Sequence, residues 1–141
     1  MPNVYGDGYD PADLDNKADG RKFNAGRRSH QVKVDLAAGA GGTTNPIGVY
    51  IREGNKVCGA EISASVSLAG FNVSVGIAGT TAKYSAAATG PIANVNQRKD
   101  ILVSALDDEA LAAPEIVLFT PSANWPATGI VIVDVMTTKR G

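Results

Sequence analysis

The chain has few of the residues from which catalytic and metal centres are usually built. Its 141 residues include one cysteine, Cys58, and one histidine, His30. A single cysteine excludes an internal disulfide. Its place in an alternating apolar run makes it a small buried hydrophobe rather than a reactive thiol. His30 alone cannot supply a histidine-based metal site or a nucleophile–histidine–acid constellation, and no nucleophile elbow occurs. It reads as a solvated or capping histidine. Charged residues make up 19% of the chain and the net charge is -1, so no global field points to nucleic acid, an anionic membrane or an acidic substrate. Aromatic residues make up 6%, too few for a row of stacking platforms. No stretch approaches the roughly 18 apolar residues of a membrane-spanning helix. The opening Met1-Pro2-Asn3-Val4-Tyr5 has neither a basic nor an apolar run, so it is not read as a signal peptide. Together these absences argue for a protein that is not an enzyme and needs no cofactor. A carboxylate-only glycosidase is the one catalytic scheme that they do not address.

The chain is rich in glycine, alanine and alternation. Val57 to Leu68 places Ala60, Ile62, Ala64, Val66 and Leu68 on one side and Glu61, Ser63, Ser65 and Ser67 on the other, the two-residue period of a half-buried strand. After Ala69-Gly70, Phe71 to Ile77 alternates again. Joined by that pair as a turn, the two arms form a predicted hairpin in which Leu68 faces Phe71, Val66 faces Val73, Ala64 faces Val75 and Ile62 faces Ile77. This register makes one face wholly apolar and the other small and polar. Alanine is a poor first residue for the primed hairpin turns, so a longer loop or a bulge is the alternative. The serine face, Ser63, Ser65 and Ser67, lacks the lysines that usually guard an exposed sheet. It is therefore a candidate surface for another subunit.

Residues 1–30 form an extended N-terminal arm and residues 31–141 a β-domain. In the arm, Asp7, Asp10, Asp13, Asp15 and Asp19 precede Arg21, Lys22, Arg27 and Arg28, with no helical or strand period. Two readings stand side by side: a floppy tail, or an arm that orders on a neighbour. In the second, Tyr5, Tyr9 and Phe23 are anchors, and Arg21, Arg27 and Arg28 belong to the basic handle. A calcium loop over Asp13 to Gly20 fails, because Lys17 stands where an oxygen ligand is needed and Asn24 where the final acid belongs. No metal site is assigned.

Further strands are predicted at 31–36, 47–53, 83–88, 100–106, 115–120 and 129–138, and a short helical turn at 107–113, capped by Asp107 and ended by Pro114. Glu115 to Thr120 is apolar on both parities, which predicts cover on both faces or a course through the core centre. The glycine-rich stretch 37–42 has no phosphate-loop spacing and reads as a surface loop. The fold class is therefore all-β: a β-sandwich or jelly-roll-like barrel of about seven or eight antiparallel strands.

The stretches Glu61 to Leu68 and Phe71 to Gly79, then Asp100 to Val103, Glu115 to Thr120 and Ala127 to Val135, resemble the capsid decoration or cement proteins of tailed phages. The resemblance covers about three quarters of the chain and consists of β patterns. It implies a structural virion protein, a β-sandwich on the outside of a capsid shell that bridges major capsid protein subunits, often as a symmetric homo-oligomer such as a dimer or trimer. It implies neither nucleic acid nor membrane as a partner. A charged arm, a flat Ser/Ala/Gly surface and the missing cleft chemistry suit a protein assembled in the host cytoplasm and resident in the virion. Two other functions compete. One is a tail or fibre β-module, for which heptads or fibre repeats would speak. The other is a carbohydrate-binding sandwich, which would use Trp125 and the tyrosines on a flat face.

Overall fold

A computed structural model describes residues 28–106 and 111–139. Eight strands follow one another: β1 (Arg28–Asp35), β2 (Ile47–Ile51), β3 (Asn55–Ala64), β4 (Asn72–Ile77), β5 (Thr80–Thr89), β6 (Gln97–Lys99), β7 (Glu115–Pro121) and β8 (Ile130–Lys139). A 3-10 turn, Leu36–Ala38, follows β1, and one helical turn, α1 (Val103–Leu106), follows β6. Two four-stranded antiparallel sheets form, one in the order β1-β8-β3-β6 and the other in the order β2-β7-β4-β5.

The pairings β1–β8, β2–β7, β3–β6 and β4–β5 are nested. The chain is thus one long antiparallel ribbon whose tip is the β4–β5 hairpin. Rolling the ribbon brings β8 beside β3 and β7 beside β4. This is the strand order of a jelly roll, which leaves only two open sides. The expected all-β sandwich of seven or eight antiparallel strands is the fold observed. Its core lies between the sheets and contains Ile51, Val57, Ile62, Leu68, Val73, Val75, Val117, Phe119 and Val131 among others, each 2% exposed or less.

The predicted hairpin of residues 57–77 does not form. β3 lies in the first sheet and β4 in the second, joined by a crossing segment, residues 65–71. The inward parity is right: Ala60, Ile62, Ala64, Leu68, Val73 and Val75 are all buried. They meet across the core rather than along one sheet. Alternation fixes which side of a strand faces inward, not which strand lies beside it. β3 pairs instead with the β-branched β8, from Asn55 opposite Lys139 to Ala64 opposite Val131.

Three local expectations are corrected as well, and a fourth lies partly outside the described residues. The register shifts between Val57 and Gly59, so Val57 enters the core and Cys58 is only half-buried, its Sγ 3.4 Å from the Met136 carbonyl. The run 100–106 is not a strand. Leu102 N–H donates to the Tyr84 carbonyl, and Val103–Leu106 coils into α1 with Val103 exposed. Short apolar runs do not distinguish strand from helix by period. The turn capped by Asp107 falls partly on 107–110, outside the described residues. Finally, among the described residues β7 is covered on one face only: Val117, Phe119 and Pro121 point into the core, while Ile116 is 55% exposed.

The glycine-rich loop after β1 is occupied by its own hydrogen bonds. Gly41 N–H donates to the Leu36 carbonyl and Gly42 N–H to the Trp125 carbonyl, both at 2.9 Å. A Cβ on Gly41 would stand 2.2 Å from the Leu36 oxygen, so only glycine fits.

Candidate functional site

The two outer sheet faces differ in chemistry. On the first sheet, one row runs Gln31, Asp134, Glu61, Arg98 across four strands, and the next contains Lys33, Ile132 and Ser63. Ser29 Oγ donates to Asp134 Oδ2 at 2.5 Å, and Asn96 Nδ2 donates to Glu61 Oε2 at 3.0 Å. Gly59 sits beneath the Met136 side chain. This face carries both signs of charge. Its guarding cations, Lys33 and Arg98, come from the strands flanking the β3–β8 pair rather than from the serine-bearing strand itself.

The predicted serine stripe is broken up. β3 ends at Ala64. Ser63 is half-buried on the outer face, opposite Ile132. Ser65 lies past the strand end, where its N–H donates to the Ile130 carbonyl and its Oγ accepts the Ile130 N–H, both at 2.9 Å. It extends the β3–β8 ladder by one side chain. Ser67 Oγ accepts the Ala69 N–H at 3.3 Å within the crossing segment. Asn72 and Ser74, on the second arm of the predicted hairpin, belong to the other sheet.

On the second sheet the outer face is apolar where β2 meets β7. Tyr50 stands opposite Ile116, and Gly48 opposite Leu118. Tyr50 is 58% exposed and Ile116 55%. A Cβ on Gly48 would lie 2.9 Å from Ile116 Cγ2 and 3.3 Å from Leu118 Cδ2, so both side chains lean over that glycine and close the patch. Glu115, the first residue of β7, borders it. Its carboxylate accepts from Lys83 Nζ at 2.8 Å and from the Tyr84 hydroxyl, which clips β5 to β7. Sequence reasoning did not single out Tyr50 or Ile116. The signal was the double parity of 115–120: the second apolar face is present, but nothing in this chain covers it among the described residues.

The open side between the sheets, where β5 and β6 run, holds a cleft of about 250 Å³ lined by Ser85 to Ala88, Gln97 to Asp100 and Leu102. Gln97 and Lys99 have the inward parity of Ile62 and Ala60, their partners on β3. Both side chains reach across to β5. Gln97 Nε2 donates to the Thr89 carbonyl at 2.9 Å, and Lys99 Nζ lies 3.4 Å from the Ala88 carbonyl. Lys99 is 3% exposed. Burial holds its amine below the ordinary lysine value, an effect that the Asp100 carboxylate opposes.

Of the other predicted residues, Tyr5, Tyr9, Arg21, Phe23 and Arg27 lie outside the described residues. Arg28 is exposed at the first position of β1, opposite Thr137. His30 is half-buried and shares a 2.9 Å hydrogen bond with the Thr137 hydroxyl. Trp125 is 1% exposed, so it offers no surface for stacking a sugar. Its Nε1 donates to the Asn45 carbonyl at 2.7 Å, and its ring meets Phe71 edge-on with centroids 5.6 Å apart. Among the described residues no group of three or more His, Cys, Asp or Glu side chains could hold a metal ion.

Fold and surface thus define a jelly-roll sandwich with one charged face, one partly apolar face and a lysine-floored edge cleft. Neither a protein-family model nor a curated protein matches the sequence. Among solved structures, a chain from the capsid of Ralstonia phage GP4 is similar, with a TM-score of 0.52 and 15% identity over 80% of this chain and 83% of that one. The similarity shows a shared fold.

Proposed function

We propose that this protein is a structural component of a phage virion, one that binds the outer surface of the capsid and stabilises the shell by bridging major capsid protein subunits. The observation that carries this reading is the patch formed by Tyr50, Ile116 and Leu118 over Gly48. A two-sheet sandwich with a single core has no internal use for large apolar side chains on an outer face, and contiguous exposed patches mark interaction surfaces. The similar chain comes from a phage capsid, and jelly rolls recur in viral shells; these support the shell as the occupant. Ser63, on the other sheet, is a peripheral contact in this reading. Tyr5, Tyr9, Phe23 and the arm arginines Arg21, Arg27 and Arg28 add contact area across neighbouring subunits. The assembled form is a homo-oligomer.

The test is capsid occupancy. Shells lacking this protein are incubated with wild type or with a Tyr50→Ser, Ile116→Ser double variant and imaged by electron cryomicroscopy. Covering about 100 Å² of each side chain contributes about 2–3 kcal/mol at ~25 cal/mol per Å². Loss of even one such contact weakens binding about 30- to 150-fold. Both side chains are more than half exposed, so the melting temperature should hardly move. Equal occupancy of wild type and variant would remove the patch from the interface.

A further inference from the structure

We propose that the β5–β6 cleft is the docking groove for the aspartate-rich segment 7–19 of a neighbouring copy of this chain, whose carboxylates pair with Lys99 and Arg98. The inference goes beyond the capsid reading and does not depend on it.

The cleft has unmet hydrogen-bonding capacity. Lys99 has three N–H donors and one long contact, to the Ala88 carbonyl at 3.4 Å, although the residue is 3% exposed. Gln97 Oε1 is buried without a partner among the described residues, an acceptor open to a backbone N–H of the incoming segment. A buried ammonium with most of its donors unused among the described residues calls for an anionic acceptor. The strand beside it is receptive as well. β5 is the outer strand of its sheet, and Ala86, Ala87, Ala88 and Thr89 are exposed there with small side chains. That edge already accepts hydrogen bonds from Leu102, Lys99 and Gln97 at the Tyr84, Ala88 and Thr89 carbonyls, so the incoming segment docks through its side chains rather than as an added strand. Arg98 is exposed on β6, one residue from Lys99. The opposing charges are Asp100 at the rim and Glu61, the cross-strand neighbour of Arg98.

The complementary charge lies in the chain itself. Asp7, Asp10, Asp13, Asp15 and Asp19 fall within thirteen residues, relieved only by Lys17. This segment precedes β1, and β1 lies at the edge of its sheet opposite β6. The donor side and the acceptor side are therefore opposite edges of the sandwich. Eight residues separate Asp19 from Arg28, a reach of up to ~26 Å when extended, enough to pass from one edge to the facing edge of an adjacent copy. Such a contact is head-to-tail, and it builds rings or open chains depending on whether the rotation closes.

Sedimentation velocity on the full chain alone decides the matter. Wild type should associate as its concentration rises, less so in high salt. Lys99→Met, which keeps the buried stem, and a variant with all five aspartates changed to Asn should each associate roughly ten- to hundred-fold more weakly, as loss of a charged hydrogen bond dictates. Ala87→Asp, at an exposed position, repels the segment without touching the core and covers the case in which Lys99→Met misfolds. The decisive arm is a mixture of Lys99→Met with the five-Asn variant. One supplies aspartates and the other an intact cleft, so together they should form one-to-one pairs that grow no further. A wild type that stays monomeric at every concentration would overturn the proposal. So would a mixture that forms no pairs, the outcome expected if the segment folds onto its own copy or binds only a shell protein.

Discussion

Trp125 is the sharpest place to test the fold, because its sequence context and its structural place assign it different jobs. In sequence it sits in a turn-rich connection, where it reads as a candidate stacking platform. In the structure it is 1% exposed and ties two loops together: its N–H donates to the Thr43 carbonyl at 2.8 Å, its Nε1 to the Asn45 carbonyl, and its ring meets Phe71. Truncation to Ala leaves a cavity that costs about 3–5 kcal/mol. The lost edge-on contact adds ~0.5–1.5 kcal/mol, and the lost Nε1 hydrogen bond about 1 kcal/mol. A loss of about 4.5–7.5 kcal/mol is a large share of the roughly 5–15 kcal/mol that holds a typical domain together. Trp125→Phe keeps most of the volume and should lose about 1–3 kcal/mol. Urea titrations followed by far-UV circular dichroism give both values. The same residue reports on itself in wild type, since a buried indole resists iodide quenching. A Trp125→Ala midpoint within about 0.5 kcal/mol of wild type, the range of neutral surface changes, or ready quenching by iodide, would refute this packing.

Two further outcomes follow from single contacts. Ser65→Ala removes the acceptor of the Ile130 N–H and should cost about 0.5–1.5 kcal/mol in chemical denaturation; equal midpoints would show that the hydroxyl does not extend the ladder. Burial lowers the Lys99 amine below its ordinary value, so over the pH window between the two values the unfolded chain binds more protons than the folded one. Stability should therefore rise with pH across that window, relative to Lys99→Met measured in parallel. A difference between the two proteins that stays flat or falls would contradict a desolvated ammonium.

What could be read from the sequence, and what could not, divides along the same physical line. Inward parity is a local property. Ala60, Ile62, Ala64, Val73 and Val75 declare it by alternation, and all are buried. Pairing is not local in a rolled ribbon. Of the nested pairs only β4–β5 joins neighbours in sequence; β1–β8 joins Arg28 to Thr137. A strand therefore finds its partner through turns and long-range packing that its own residues do not encode. β6 is the extreme case. Gln97, Arg98 and Lys99 have no apolar residue to mark them as a strand, and only their register with Ala60, Glu61 and Ile62 makes them one. The cleft, which depends on that register, was invisible for the same reason.

The outer faces carry the argument one step further. A residue on the outside of a strand takes its meaning from the strands beside it. Ser63 looked unguarded while its strand was read alone. In the sheet, Lys33 lies beyond Ile132 in its row, and Arg98 sits on the other flank. Glu115 to Thr120 looked buried on both sides when read alone. In the sheet, Ile116 gains Tyr50 as a neighbour and Leu118 gains a glycine, Gly48, too small to cover it. The apolar demand of that strand is genuine, and the described residues of this chain meet only half of it. Beside the serine face expected from the sequence, the outer face of β2 and β7 is therefore a surface expected to need a partner.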